Sequence, residues 1–254
     1  MKTKIVNKLC EIEQTKNIKI LYACESGSRG WGFPSPDSDY DVRFIYLRNT
    51  EWYLSIDKQK DFIEFPISDV LDIGGWDLKK TLHLLFGSNV TPYEWLQSPI
   101  IYLTDKNFQK NLWEISCNYF SPRKSMHHYL GLAKRSLLSK GEANNVRIKT
   151  YFYILRPLLA AMWIGEHQSV PPMEFQYLLK QIENQRVVYD SVVDLLKRKE
   201  TAMEKECIDC IPEIDGFAEK EIDQQIIKAD QIKTIRKEVE PLNSFFRDAL
   251  TDTR

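Results

Sequence analysis

The sequence predicts an N-terminal domain of strands and helices, of the α/β or α+β class, followed by an all-helical C-terminal domain. Up to about residue 104, short extended segments alternate with turn residues; beyond it, apolar residues recur at helical spacing over long stretches. With 254 residues, of which 43% are apolar, the chain is long enough to bury two small cores. The predicted domains are therefore residues 1–104 and 105–254.

The first half begins with an amphipathic helix at residues 4–16 and an apolar run at 18–24 that predicts a buried strand. A turn-rich stretch, 26–38, separates this strand from the next. The further predicted strands, rich in β-branched or aromatic residues, are 40–47, 52–56, 61–65 and 70–73. The pattern becomes helical from residue 76, and a short helix with Pro92 in its first turn covers 91–96.

The second half reads as successive helices. Their predicted ranges are 106–119, 124–138, 146–164, 173–180, 191–205 and 217–237. The pair Cys207 and Cys210 lacks a second C-x-x-C, and we interpret it as two small residues on one helix face. The five cysteines fit a reducing compartment.

Charge and hydropathy exclude several classes of protein. Lysine and arginine number 35 against 36 aspartates and glutamates, so the chain is not a polycation that coats nucleic acid. Its most apolar window, 151–164, is short and contains Arg156 and Pro157, which argues against a membrane span. The charged residues 1–16 lack the pattern of a secretion signal, so we expect a cytoplasmic protein without membrane partners.

Two acidic residues open the strand at residues 40–47. Residues i and i+2 of an extended chain face the same way, about 7 Å apart, so Asp39 and Asp41 are expected to project side by side. Converging carboxylates repel each other unless a cation lies between them, and hard divalent cations such as Mg²⁺ prefer oxygen ligands. The spacing therefore predicts a metal site.

A glycine-rich stretch, residues 27–32, precedes the acids. Gly27 lets backbone N–H groups approach an anion closely, Ser28 adds a hydroxyl and Arg29 adds a fork of donors. An anion site beside a metal site indicates a nucleoside triphosphate.

The stretch from Gly27 to Asp41 resembles the signature of the DNA polymerase β-like nucleotidyltransferase superfamily, which here consists of Gly27 and Ser28, a spacer, and Asp39-x-Asp41. Four segments of the sequence are similar to one branch of this superfamily: G-S-R-G-W-G-F-P-S-P-D-S-D-Y-D-V-R-F-I-Y and, further on, I-G-G-W-D-L-K-K, E-W-L-Q-S-P-I-I-Y and Y-I-L-R-P-L-L-A-A-M-W-I. That branch is the RNA-repair-pathway polymerase β family, including YcgL-type predicted nucleotidyltransferases. The resemblance covers residues 20 to about 164.

The resemblance implies an α+β catalytic domain with a mixed sheet and transfer of a nucleoside monophosphate from an NTP to an acceptor hydroxyl. It also implies two Mg²⁺ ions, pyrophosphate release and a third carboxylate on a neighbouring strand that completes the metal site. The candidates are Asp61, Glu64, Asp69 and Asp72. We favour Asp72, which ends an extended apolar segment, and place Glu64 second.

The acceptor is left open. Residues 121–150 carry seven basic residues against the single acid Glu142, which suits an RNA backbone or pyrophosphate, whereas the acidic stretch 204–223 should lie away from any nucleic acid. Arg156, a charge among core residues, is expected to find a partner or to face the cleft. Transfer of AMP to a protein side chain and a non-catalytic nucleotide-binding module are the alternative functions.

Overall fold

The computed structural model describes residues 1–57, 59–68, 70–141 and 145–251. Its helices and strands, in chain order, are α1 (Lys2–Lys16), β1 (Lys19–Glu25), α2 (Gly27–Trp31), β2 (Tyr40–Leu47), α3 (Thr50–Tyr53), β3 (Phe62–Glu64), β4 (Leu71–Asp77), α4 (Leu78–Phe86), α5 (Val90–Leu96), β5 (Ile101–Thr104), α6 (Lys106–Cys117), α7 (Pro122–Lys140), β6 (Asn145–Arg147), α8 (Ile148–His167), α9 (Phe175–Leu179), a 3-10 turn (Lys180–Ile182), α10 (Arg186–Thr201), β7 (Cys207–Asp209), α11 (Pro212–Gln231) and α12 (Glu240–Thr251).

The chain forms two compact units that each use non-consecutive parts of the sequence. The first contains the described residues of Met1–Gly30, Asp39–Phe120 and Arg236–Arg254, and the second those of Trp31–Ser38 and Ser121–Ile235. The domain boundary predicted after residue 104 stays a prediction.

The first unit is built on a five-stranded sheet in the order β3-β4-β2-β1-β5. The β2–β4 pair is parallel and the other pairs are antiparallel, so the sheet is mixed. Helix α1 buries Ile5, Leu9 and Ile12 in the apolar cluster of this sheet. The i, i+4, i+7 spacing of these residues forms one apolar face, which explains why α1 covers the sheet.

The second unit is helical. Helix α8 lies at its centre and is almost wholly buried around Pro157, while α7 and α11 contribute Leu130 and Ile222 to the core. A two-stranded sheet of β6 and β7 adds to these helices. The predicted α+β fold class is confirmed. Across the described ranges, no helix combines the length and the apolar composition that a bilayer crossing requires.

Two local predictions were wrong, and one helix was missed. Residues 52–56 were predicted as a strand from their aromatic content, but Thr50–Tyr53 is a helical turn because the Asn49 side chain accepts the Trp52 N–H at 3.1 Å and caps it. Cys207 lies on β7 rather than on a helix, because a three-residue strand is too short to show periodicity. Helix α12 was not predicted.

Candidate active site

Strands β2 and β4 bring two of the predicted acids together. Each acid is the second residue of its strand, and the parallel register places Asp41 opposite Asp72. Directly opposed residues of neighbouring strands share one face of the sheet, about 5 Å apart. The two side chains are 30% and 29% exposed, so their carboxylates are partly shielded from water.

Arg43 lies between these carboxylates. It follows Asp41 by two residues on β2 and therefore projects from the same face. Its Nη2 donates to Asp72 Oδ2 at 2.7 Å and to Asp41 Oδ1 at 3.3 Å, while its Nη1 donates to the backbone carbonyl of Asp72 at 3.1 Å. One guanidinium thus offsets the repulsion between the two acids and fixes one oxygen of each. Arg43 is not among the site residues predicted from the sequence.

Asp39 directly precedes β2, and its side chain is exposed. Its backbone carbonyl accepts a hydrogen bond from Nε of Arg29 at 3.1 Å. The Arg29 guanidinium also lies over the Tyr40 ring, 4.0 Å from the ring centroid. Arg29 therefore braces the start of β2, and its predicted contact with the triphosphate stays a prediction.

Gly27 lies against the Asp41 carboxylate. The stretch expected to be a glycine-rich turn begins with the short helix α2, and Gly27 has φ +57°. A Cβ at this position would lie 2.0 Å from Oδ2 of Asp41. Gly27 is thus required to leave room for this carboxylate, besides its predicted role toward phosphates. Ser28, the next residue of α2, is half-buried.

Glu25, the last residue of β1, was also missed. Its side chain is fully buried, and Oε1 accepts the backbone N–H of Asp41 at 2.8 Å. Oε2 accepts a hydrogen bond from the Tyr102 hydroxyl. Burial raises the pKa of the Glu25 carboxyl, and these two hydrogen bonds oppose that rise. An acid that ends an apolar strand, two residues before Gly27, is the signal that could have revealed it.

The other candidates for the third carboxylate lie elsewhere. Glu64 is exposed on the edge strand β3, opposite Gly74. Asp61 pairs with Lys80 at 3.0 Å, and its carbonyl accepts the N–H of Asp77, at the other end of β4 from Asp72. Asp69 lies outside the described residues. Among the candidates that can be placed, Asp72 lies opposite Asp41, although it is the second residue of β4 and not the end of a strand as expected, because β4 continues to Asp77. Its role as the third carboxylate stays a prediction.

The chemistry of Asp41 and Asp72 suits a hard cation. Their carboxylates already converge on one positive group, Arg43, and Asp39 offers further oxygen donors from the same strand start. In the part of the chain that the structure describes, no three His, Cys, Asp or Glu side chains are grouped closely enough to hold a metal ion. The chemistry of the three carboxylates thus fits a divalent cation, although their positions do not form a complete set of metal ligands.

Arg156 of α8 is a structural residue of the second unit, not an arginine available to a cleft. It is 4% exposed, and its Nε and Nη2 donate to the Met173 carbonyl at 3.3 and 3.1 Å. Its guanidinium also stacks on Trp31, 4.4 Å from the ring centroid. A buried guanidinium needs such acceptors, and these contacts explain a charge among core residues.

The basic stretch 121–150 is not separated from the acidic stretch as expected. Three of its cations are paired within the second unit: Lys140 with Asp215 at 2.8 Å, Lys149 with Glu204 at 3.2 Å and Arg123 with Asp230 at 3.0 Å. Two of these partners, Asp215 and Glu204, belong to the acidic stretch 204–223, so this stretch does not lie away from the basic one. Glu142 lies outside the described residues.

Comparison with known proteins identifies the family. A nucleotidyltransferase-like protein from Exiguobacterium sibiricum 255-15 has 11% sequence identity and a TM-score of 0.35, over 89% of this chain and 77% of that one. A similarity of this size does not by itself establish a shared fold. The uncharacterized protein YcgL of Bacillus subtilis (strain 168) is 42% identical over 239 residues, 94% of this chain and 92% of the relative. Residues 1–248 match the RNA repair pathway DNA polymerase beta family, so the match extends beyond the resemblance seen in the sequence. The chain belongs to the RNA repair pathway DNA polymerase beta family.

Proposed function

We propose that this protein transfers a nucleoside monophosphate from an NTP to an acceptor hydroxyl and releases pyrophosphate. The observation that carries the proposal is the alignment of Asp41 and Asp72 on parallel neighbouring strands, with Gly27 against the Asp41 carboxylate. Membership of the RNA repair pathway DNA polymerase beta family supports it.

Each site residue has a role in this reaction. Asp39, Asp41 and Asp72 would hold two Mg²⁺ ions, which when bound would neutralise charge on the triphosphate and on the leaving pyrophosphate. Ser28 and Arg29 would donate hydrogen bonds to phosphate oxygens.

The chemical step follows from these roles. The acceptor oxygen forms a bond to the α-phosphorus, and the bond from that phosphorus to the oxygen bridging to the β-phosphorus breaks. Asp72 accepts the proton of the acceptor hydroxyl, and pyrophosphate leaves with the bridging oxygen.

An RNA end is the acceptor we favour, because the family is described as part of an RNA repair pathway. A protein side chain is the alternative acceptor. A nucleotide-binding module without turnover is the alternative to catalysis.

The test is incubation of the full chain with α-³²P-labelled NTPs, Mg²⁺ and either RNA with free 3′ ends or a mixture of proteins. Label on RNA that depends on Asp41 supports the proposal, and label on protein replaces the RNA acceptor by a side chain. NTP binding with no label on either acceptor would overturn transfer. Asp41→Asn is the negative control, and Asp61→Asn, which changes an acid at the other end of the sheet, controls for loss of charge.

A further inference from the structure

Two buried carboxyl groups of the five-stranded sheet are each paired with a tyrosine. In one, Glu25 at the end of β1 accepts a hydrogen bond from the hydroxyl of Tyr102 on β5. In the other, Asp77 at the end of β4 accepts the hydroxyl of Tyr53 at 2.7 Å. Both carboxyl side chains are 0% exposed. The two pairs are chemically alike and differ in what the carboxylate holds.

The carboxylate of Asp77 caps a helix. Its Oδ1 accepts the backbone N–H of Lys79 at 2.8 Å, in the first turn of α4. Asp77 follows Asp72 by five residues on β4, which corresponds to about 17 Å along a strand. This pair therefore serves the fold at a distance from the candidate site.

The carboxylate of Glu25 holds the backbone of a candidate catalytic residue instead. Oε1 accepts the Asp41 N–H, and the Asp41 carbonyl accepts the N–H of Ser26 at 2.8 Å. Both backbone polar groups of Asp41 are thus fixed by consecutive residues at the end of β1. Since Glu25 is fully buried, it can act on the site only through Asp41.

We propose that Glu25 and Tyr102 form a positioning pair that sets the backbone of Asp41, and with it the carboxylate that binds the divalent cation. This proposal rests on the proposed function for the role of Asp41. Tyr102 orients the Glu25 carboxylate through Oε2, leaving Oε1 directed at the Asp41 N–H. A charge-assisted bond of this kind is stronger and more directional than one between neutral groups.

The similarity of the two pairs supplies a matched experiment. Tyr102→Phe and Tyr53→Phe each remove one hydroxyl from a buried carboxylate and keep the ring, so both variants should fold. The Tyr53 hydroxyl also accepts the backbone N–H of Arg48 at 3.1 Å, so Tyr53→Phe should lose at least as much stability as Tyr102→Phe. Only Tyr102→Phe should affect Asp41. The measurement is the affinity of the full chain for Mn²⁺, followed by electron paramagnetic resonance, together with amide hydrogen exchange at Asp41 by NMR.

We expect Tyr102→Phe to weaken Mn²⁺ binding on the order of 3- to 10-fold, the effect of one hydrogen bond, and to speed exchange of the Asp41 amide. Tyr53→Phe should leave both within twofold of wild type. Glu25→Gln keeps an oxygen that can accept the Asp41 N–H, so it should retain more Mn²⁺ affinity than Glu25→Ala. Equal effects of the two tyrosine variants on Mn²⁺ affinity and on Asp41 exchange would overturn the positioning role.

Failure of the proposed function would give a different pattern. If wild-type protein and Asp41→Asn bind Mn²⁺ equally weakly, the metal site is wrong and Asp41 exchange alone decides the positioning role. If Asp41→Asn abolishes a clear Mn²⁺ signal while Tyr102→Phe and Glu25→Ala leave it unchanged, the site stands and the positioning pair is refuted.

Discussion

Replacement of Gly27 by alanine tests how closely the glycine motif is tied to the acids. The new methyl group would lie 2.0 Å from Oδ2 and 2.8 Å from Cγ of Asp41, and the backbone has φ +57°. Real Cβ atoms essentially never approach another atom more closely than 3.0 Å, so the carboxylate must move by about 1 Å. The perturbation therefore acts on Asp41, although the substituted residue lies in α2.

The structure sets the size of the effect. A left-handed backbone costs a residue other than glycine about 1–2 kcal/mol. Displacement of the carboxylate also weakens the 3.3 Å contact between Asp41 Oδ1 and Arg43, a partly exposed ion pair worth up to about 1 kcal/mol. The sum is about 1–3 kcal/mol, or a fall in Tm of roughly 2–12 °C for a chain of this size.

Gly32→Ala is the matched control, because Gly32 has φ +89° but a Cβ there would meet nothing within 4 Å. Urea unfolding should show a loss of about 1–2 kcal/mol for Gly32→Ala, from backbone strain alone. Mn²⁺ titration should show weaker binding for Gly27→Ala and wild-type affinity for Gly32→Ala. If Gly27→Ala kept wild-type Mn²⁺ affinity, or cost no more stability than the control, the contact with Asp41 would not govern the site.

Four further predictions concern single residues. Asp39→Asn or Asp41→Asn should abolish nucleotidyl transfer without unfolding the chain, as measured with labelled NTPs and by thermal melting, because each removes a charged metal ligand; near wild-type turnover would contradict the site. Asp72→Asn should still bind NTP by calorimetry yet fail to transfer, because it removes the proton acceptor; loss of NTP binding would argue instead for a binding role. Ser28→Ala should raise the NTP concentration at half-maximal rate by roughly 2- to 10-fold and leave the saturated rate nearly unchanged, the signature of one lost hydrogen bond; a lower saturated rate alone would contradict this. Burial raises the pKa of Asp77 to about 6, so the folded protein keeps a proton on Asp77 that the unfolded chain loses near pH 4. Between pH 4 and 7 the free energy of unfolding should therefore fall by roughly 3 kcal/mol relative to that of Asp77→Asn. Urea unfolding at several pH values measures this, and an equal pH dependence of the two proteins would refute it.

The part of the site that depends on one strand could be predicted from the sequence. The alternation of side chains along an extended chain predicts Asp39 and Asp41 on one side, and the same rule places Arg43, two residues beyond Asp41, on the face of Asp41. For Asp39, which precedes β2, this stays a prediction. Arg43 was not predicted because only side chains that bind a cation were considered there, and not a side chain that is itself positively charged. Its contacts with both acids agree with the alternation along β2, which places Arg43 on the same face as Asp41.

The part of the site that depends on pairing between strands was harder to predict from the sequence. Asp72 faces Asp41 only because β4 pairs in parallel with β2 in one particular register, after a connection that contains α3 and β3. Register is set by contacts across the sheet, which no local pattern specifies. Its neighbours in the sequence therefore gave no reason to prefer Asp72 over Glu64 without the resemblance.

The spacer within the motif shows the same limit most clearly. Residues 26–38 contain prolines, glycines and serines and were interpreted as a turn-rich connection, yet Trp31–Ser38 belongs to the second unit. The Ser35 hydroxyl accepts a hydrogen bond from the buried Lys199 at 2.6 Å, and Phe33 stacks on Phe152 with ring centroids 4.5 Å apart. These partners follow more than a hundred residues later, beyond the reach of any local pattern. A count of the residues between Ser28 and Asp39 therefore does not reveal that most of this spacer packs within the second unit.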